Sequence, residues 1–389
     1  MRALAVTGVG VASALGVGHA AFVEGIRSGE LATRHAGRAT SFDASKYPRV
    51  RVVEVADFDA ARHLGEKGLR SLDRLTKLLV VATRLALHDA GLKNDGAWAA
   101  GSPDRVGMVV SNAYGSLEAI TELDRVATLE DARYINPSRF PLTVSNSAAG
   151  YASIWEDLRA LNVSVSDGNC GALDAVACAN VFLERERADA LLVGGAEAMS
   201  EALAFAFDRL GAVADGACLG EGAAILAIES PDSAHRRGAT VLATIAGYGT
   251  AFVPPKREAS LVYASSDAVH RAITAALKDA DASAGEVDVV VSGVSGLRPF
   301  DEAEMLAIAR AVGDETCVVA PKLALGETLG AGGAMAMLAA MALLSEAAPE
   351  HPPRHVVRGA LRAQPRTALV TSMGYYGNAS ALVMRHPSR

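Results

Sequence analysis

Four cysteines and nine histidines are the groups best suited to nucleophilic, acid–base or metal chemistry in this sequence. The cysteines are Cys170, Cys178, Cys218 and Cys317. They form no Cys-x-x-Cys pair and have no histidine at ligand spacing, so no zinc site, other metal site or disulfide framework is expected. Most of the histidines fall on predicted helix faces or in polar loops, where a solvated ring is the default. Cys170 stands out because a small-residue turn precedes it and an Ala-rich helix follows. Such a helix start can lower a thiol pKa and make a nucleophile; a small buried hydrophobe is the competing reading. Gly8-Val9-Gly10-Val11 invites a dinucleotide-binding reading, but the third glycine would fall at Ser13 and no ribose-binding acid follows. Gly-x-Ser-x-Gly, Walker A and His-Glu-x-x-His motifs are absent, and no cofactor is expected.

Short β-branched runs alternate with longer Ala/Leu-rich runs. The runs predict strands over Ala3–Thr7, Val106–Ser111, Val163–Ser166, Ala190–Gly194, Gly222–Ile228, Val287–Ser292, Thr316–Ala320 and, as the final strand, Ala368–Thr371. Helices are predicted over Leu72–Ala90, Ser116–Thr128, Ala172–Glu184, Ser266–Asp279, Glu302–Ala311 and Gly333–Ser345. This order predicts an α/β fold whose strands are buried on both faces between helices. A small-residue turn entering an Ala-rich helix occurs at Cys170–Val181 and again at Gly330–Leu344. That echo predicts a duplicated α/β unit: residues 1–232 and 233–389, joined through the polar stretch near 229–240. The Pro-rich tract 346–357 reads as a surface loop. The apolar N-terminus reads as a strand broken by a Val-Thr-Gly turn.

A chain of 389 residues is too long for one ordinary core, which agrees with two halves. Half of the residues are hydrophobic, which excludes a disordered protein. A net charge of −7 without a basic run argues against nucleic-acid binding. No run is long and apolar enough to predict a membrane span. The expectation is a soluble cytoplasmic protein with no nucleic-acid or membrane partner.

Six segments in a fixed order carry a resemblance. They are VTGVGVASALG near the start, PLTVSNSAAGYASI, VSVSDGNCGALDAVACA leading to VGGAEAMS, LGEGAAILAIE, PKLALGETLGAGGAMA and the closing TSMGYYGNASALVM. Together they resemble the β-ketoacyl-ACP synthase family of the thiolase fold. The resemblance implies a duplicated half in a layered α-β-α-β-α arrangement. It also implies three chemical slots: a Cys at a helix start that takes the acyl chain, and two His that serve malonyl decarboxylation. Ungapped counting places Asn169 in the Cys slot, one residue before Cys170. The first His slot falls at Gly293 in Ser292–Gly296, before the acidic stretch Asp301–Glu304. The second falls at Glu327, after Lys322-Leu323-Ala324-Leu325-Gly326, so Lys322 is the retained element.

Three altered slots in one register resemble the chain-length factor, or ketosynthase β subunit, of type II polyketide synthases. In that subfamily the Cys slot usually holds Gln, so Asn169 is a departure. The resemblance implies a subunit without intact catalytic residues, paired with an active ketosynthase and served by an acyl carrier protein through the complex. It implies a dimer seam at Leu161–Ser166 and Ser138–Ala149, and an acyl cavity including Ile120, Arg139, Phe140 and Tyr375. For Ile120 ordinary core packing is the competing reading. The short segment Phe205–Gly216 implies a reduced carrier-docking surface. Two other functions fit the same residues: a divergent synthase or acyltransferase using Cys170, and a stand-alone acyl-binding scaffold.

Overall fold

One five-strand pattern occurs twice in the computed structural model, which describes residues 1–29, 31–35, 39–211, 217–256, 262–344 and 353–387. In the first copy the strands are β1 (Leu4–Ser13), β2 (Val106–Ser111), β3 (Asn162–Val165), β4 (Ala190–Glu197) and β5 (Gly222–Glu229). Their spatial order is β1-β5-β4-β2-β3. The second copy uses β6 (Ala243–Phe252), β7 (Val289–Val291) and β8 (Cys317–Val319), then, after the short edge strand β9 (Val356–Arg358), β10 (Thr367–Met373) and β11 (Asn378–Arg385). Its order is β6-β11-β10-β7-β8, with β9 beside β8. In both copies the first two pairings are antiparallel and the last two parallel. The copies meet where Leu4–Val6 of β1 pairs with β6, so the strands form one mixed sheet with β3 at one edge.

The helices sort into layers because each sheet face is apolar. They include α1 (Arg74–Asp89), α2 (Leu117–Arg125), α3 (Ser147–Glu156), α4 (Gly171–Glu184), α5 (Glu201–Leu210), α6 (Ser266–Asp279), α7 (Arg298–Val312) and α8 (Gly332–Leu344). Between the half-sheets lie α4 and α8, which share one core with Val9, Val193, Val291 and Leu382. Outside the first half lie α1 and α3, and outside the second α6 and α7. This is the expected α-β-α-β-α arrangement. Every residue of α8 is buried and none is charged, as a helix surrounded by protein requires.

The glycines that suggested a nucleotide-binding turn have another use. Gly8 and Gly10 lie inside β1, which continues through the supposed Val-Thr-Gly turn with only a bulge in its pairing between Val6 and Gly8. A Cβ on Gly10 would come within 2.0 Å of the Ala82 carbonyl oxygen of α1, and one on Gly8 within 2.3 Å of the Ala90 nitrogen. The second half repeats the device. A Cβ on Gly249 would come within 2.3 Å of the Ala272 carbonyl oxygen of α6, and one on Gly247 within 2.5 Å of the Ala280 nitrogen. Glycine lets the outer helix sit directly on the strand backbone.

Other expectations need correction. Ala368–Thr371 is not the final strand; β11 follows it. Strand β6 is not among the expected strands, because its Ala/Gly/Thr content lacks a β-branched run. The tract 346–357 ends in edge strand β9, and its residues 346–352, like Ser345, lie outside the described residues. His355 is fully buried rather than solvated, and both ring nitrogens lack a partner. Burial pulls its pKa down to about 4, so the ring is held neutral.

Candidate functional site

Strand β3 leads through Ser166 and Asp167 into a 3-10 turn, Gly168–Cys170, and then into α4. Gly168 has φ +54°, a left-handed conformation that glycine adopts at little cost. The β10–β11 hairpin grips this turn from about 200 residues away in sequence. Ser372 Oγ donates to the Asn169 carbonyl at 2.7 Å, and Asn169 Nδ2 donates to the Met373 carbonyl at 3.5 Å. Cys170 Sγ lies 3.5 Å from the Ser372 carbonyl, and Asn378 Nδ2 donates to Asp167 Oδ1 at 3.0 Å. Asn169 is only 3% exposed and Cys170 not at all. Burial first, then the charges of Asp174 and Asp167, push the Cys170 thiol far above its ordinary value. Burial and the two carboxylates thus oppose the lowering that a helix start would give this thiol.

The other two slots are equally occupied. Lys322 Nζ bonds both carboxylate oxygens of Glu327, at 2.7 and 2.9 Å, with both residues buried. The Leu329 N–H donates to Glu327 Oε1 at 2.9 Å. Leu329 itself is held at φ +48°, unusual for a γ-branched residue, on the way to the close approach of Gly330 to Gly195. At the first His slot the Gly293 N–H donates to Glu304 Oε1 at 2.8 Å, and Thr371 Oγ1 donates to the same oxygen at 2.6 Å. Asp301 accepts from the Ser295 and Gly296 N–H groups at 3.0 and 2.8 Å. Burial raises the carboxyl pKa of both Glu304 and Asp301, and the charge of Lys322 opposes the rise. Tyr375 brings the slots together. Its hydroxyl is buried beside Asn169 and Glu327 without a hydrogen bond of acceptable geometry, and its ring meets Phe300 edge-on at 5.0 Å. Burial first, then Glu327, drives the phenol well above its usual value.

The fold thus gathers Asn169, Tyr375, Glu327 and Lys322, with Gly293 held by Glu304 next to them. Ile120, Arg139 and Phe140 are elsewhere. Ile120 on α2 is 45% exposed, which overturns the core-packing alternative. Phe140 is 68% exposed, and Arg139 pairs with Glu122 at 2.8 Å. These three share an outward face formed by α2 and the turns of residues 137–143. In the sequence Asp301–Glu304 reads only as an acidic helix start. The i, i+3 spacing of Asp301 and Glu304 was the available signal that both face one side. Thr371 carried none.

What this arrangement offers chemically is an amide, a bound carboxylate and a glycine at the positions that the sequence resemblance aligns with a thiol and two imidazoles. Residues 1–234 match the family described as "Beta-ketoacyl synthase, N-terminal domain", and residues 242–353 match "Beta-ketoacyl synthase, C-terminal domain". The chain belongs to the β-ketoacyl synthase family. A "Putative polyketide beta-ketoacyl synthase 2" from Streptomyces coelicolor is 31% identical, over 99% of this chain and 95% of that protein. A 3-oxoacyl-[acyl-carrier-protein] synthase 2 from Coxiella burnetii is 27% identical, over 90% of this chain and 87% of that protein. Among solved structures, the ishigamide ketosynthase/chain length factor covers the whole chain and is itself wholly covered, with TM-score 0.87 and 24% identity. A type II polyketide synthase acyl-carrier protein in complex with its ketosynthase bound to the hexaketide also covers the whole chain and is wholly covered, with TM-score 0.79 and 22% identity. These likenesses show a thiolase-like ketosynthase fold. Among the described residues no helix is long and apolar enough to cross a membrane, and no cluster of His, Cys, Asp and Glu is arranged for a metal ion.

Proposed function

We propose that this chain is a catalytically silent chain-length-factor subunit. It pairs with an active β-ketoacyl-ACP synthase in polyketide or fatty-acid-like biosynthesis in the cytoplasm and shapes the cavity in which the acyl chain grows. The carrier protein is met through the complex. One observation supports silence above all: Asn169, Gly293 and Glu327 each have their places filled by contacts internal to the fold. The buried Cys170 thiol speaks against the acyltransferase alternative.

Pairing is supported by the edge. Strand β3 ends the sheet, and Leu129, Tyr134, Phe140, Val144 and Ile154 project from the segments on that side, each at least half exposed. An open strand edge flanked by apolar side chains is a liability unless covered. Continuation of the sheet across a two-fold axis would cover it, and obligate interfaces bury roughly 2,000 Å² or more. A stand-alone scaffold would leave this surface wet.

Because Ile120 faces outward, it can line a cavity only where a second chain closes it. Each two-carbon unit adds about 2.5 Å of extended chain, two projected C–C bonds of about 1.5 Å each. Ile120→Gly in the heterodimer is expected to shift products by about one unit toward longer chains, and Ile120→Trp toward shorter ones. Glycine there costs the helix about 1 kcal/mol, so the complex should still form. The test mixes the chain with an active ketosynthase that keeps its Cys and two His, isolates the complex by size exclusion and profiles its products. A well-behaved monomer that binds no ketosynthase would overturn pairing. Unchanged product lengths in an intact Ile120→Gly complex would overturn the cavity role of this residue.

A further inference from the structure

The motif Gly194-Gly195-Ala196-Glu197, which ends β4, places a carboxylate that the three slots do not use. Glu197 is fully buried, and no cation among the described residues bonds it. Its two oxygens take three backbone N–H groups from two segments far apart in sequence. Ala113 and Gly330 donate to Oε2 at 2.8 and 3.2 Å, and Tyr114 donates to Oε1 at 3.1 Å. An ionised carboxylate accepts several such bonds, and each is stronger than a neutral one. The backbones also touch: a Cβ on Gly330 would come within 2.6 Å of the Ala113 nitrogen. Gly330 belongs to the turn that follows Glu327. Ala113 and Tyr114 belong to the turn that enters α2, where the Leu117 N–H donates to the Tyr114 carbonyl at 2.9 Å.

Packing alone gives α2 a weak hold. Ala119 is its one buried residue, and Ser116 supplies no side-chain cap. Its place therefore depends on how the chain enters it. The same entry turn also holds the next part of the outward face. Asn112 Nδ2 donates to the Ser145 carbonyl at 2.8 Å, just past the segment that carries Phe140 and Val144. We infer that Glu197 is a positioning residue: it clamps the start of α2 to the turn of residues 329–331 and so sets where the outward face carrying Ile120 stands. This rests on the chain-length reading, in which that face closes the cavity against a partner, and it adds the residue that keeps the cavity wall in register.

Glu197→Gln keeps the shape and separates the bonds. The amide oxygen keeps two N–H groups only in the Oε2 place. The amide NH2 then meets the Tyr114 N–H, donor against donor, and that bond is lost. Backbone hydrogen exchange of the full-length chain alone is compared with wild type at about pH 8, above the value of about 7 to which burial raises the Glu197 carboxyl. Peptides spanning residues 113–120 should lose about tenfold in protection, while those from residues 328–333 and from β5 keep theirs. Glu197→Asp keeps the charge but draws it back by one C–C bond, about 1.5 Å. It should loosen both segments, and it serves if the glutamine variant does not fold. In a complex with an active ketosynthase, Glu197→Gln should leave pairing intact and spread product lengths by about one two-carbon unit, with Ile120 untouched. Unchanged exchange of residues 113–120 in both folded variants overturns the clamp. Loosened exchange with unchanged product lengths overturns its role in setting the cavity. A wild-type chain that binds no ketosynthase overturns the chain-length reading instead, and the exchange comparison on the chain alone still decides the clamp.

Discussion

Replacing Lys322 with methionine is expected to destabilise the fold by about 3–5 kcal/mol, the cost of breaking a buried ion pair from one side. The pair is sealed: Lys322 is 5% exposed and Glu327 1%. Its geometry is also shared, because the positive charge of Lys322 reaches Asp301 and Glu304 as well as Glu327. The substitution leaves the Glu327 carboxylate with the Leu329 N–H and removes the cation that offsets its two acidic neighbours. Methionine nearly preserves the volume, so a cavity contributes little. The double variant Lys322→Met/Glu327→Gln removes the orphaned charge while the amide oxygen still accepts from Leu329. It should recover more than half of the loss. Guanidinium unfolding of the two variants beside the wild type makes the comparison. A single variant that loses less than about 1 kcal/mol would mean that the pair behaves like a screened surface bridge.

The ion pair also shows how far the sequence could be read. The fold was legible because strand and helix periodicities, and a turn-plus-helix echo, recur in both halves. The echo is now physical: turns 168–170 and 329–331 each open a helix of the central layer. The strands that escaped are those where packing overrides composition. In β6, Gly247 and Gly249 replace branched residues so that α6 can press on the backbone, and a glycine in a strand looks like a loop. For the site, ordered motifs aligned Asn169, Gly293 and Glu327 with catalytic places. They could not show what fills those places. Glu304 reaching Gly293, and Ser372 and Met373 holding Asn169, are contacts between residues far apart in sequence, set by which strands meet. Nor did any pattern reveal that Ile120 faces solvent. Its helix-wheel position fits core and seam equally, and only the fold distinguishes them.

Asn169→Cys is expected to yield neither a synthase nor an acylated protein, and the reasons act in series. The new thiol would sit at a position only 3% exposed, next to a thiol already held neutral by burial and two carboxylates. Each unit by which its pKa rises removes about tenfold of the reactive thiolate. Condensation then needs acid–base partners for decarboxylation, each worth about 10²–10⁴-fold. At Gly293 there is no side chain, and at Glu327 a carboxylate would face the malonyl carboxylate. The combined deficit is on the order of 10⁴-fold or more. Adding the imidazoles does not repair it simply. A Cβ at position 293 would lie 3.1 Å from Glu304 Oε2, so Glu304 must first release the Gly293 N–H or shift. Glu327→His strips Lys322 of the carboxylate it bonds at 2.7 Å and buries an ammonium without its partner. The three slots are thus coupled to stability, and introduced imidazoles compete with the contacts that hold the fold. The check is intact-mass analysis of wild type and Asn169→Cys after incubation with acyl-ACP, followed by product analysis with malonyl-ACP. An adduct on the wild type would return Cys170 to the active list. Condensation by Asn169→Cys alone would show that some other group supplies the missing imidazoles, and that the three slots are not where the chemistry of this chain was lost.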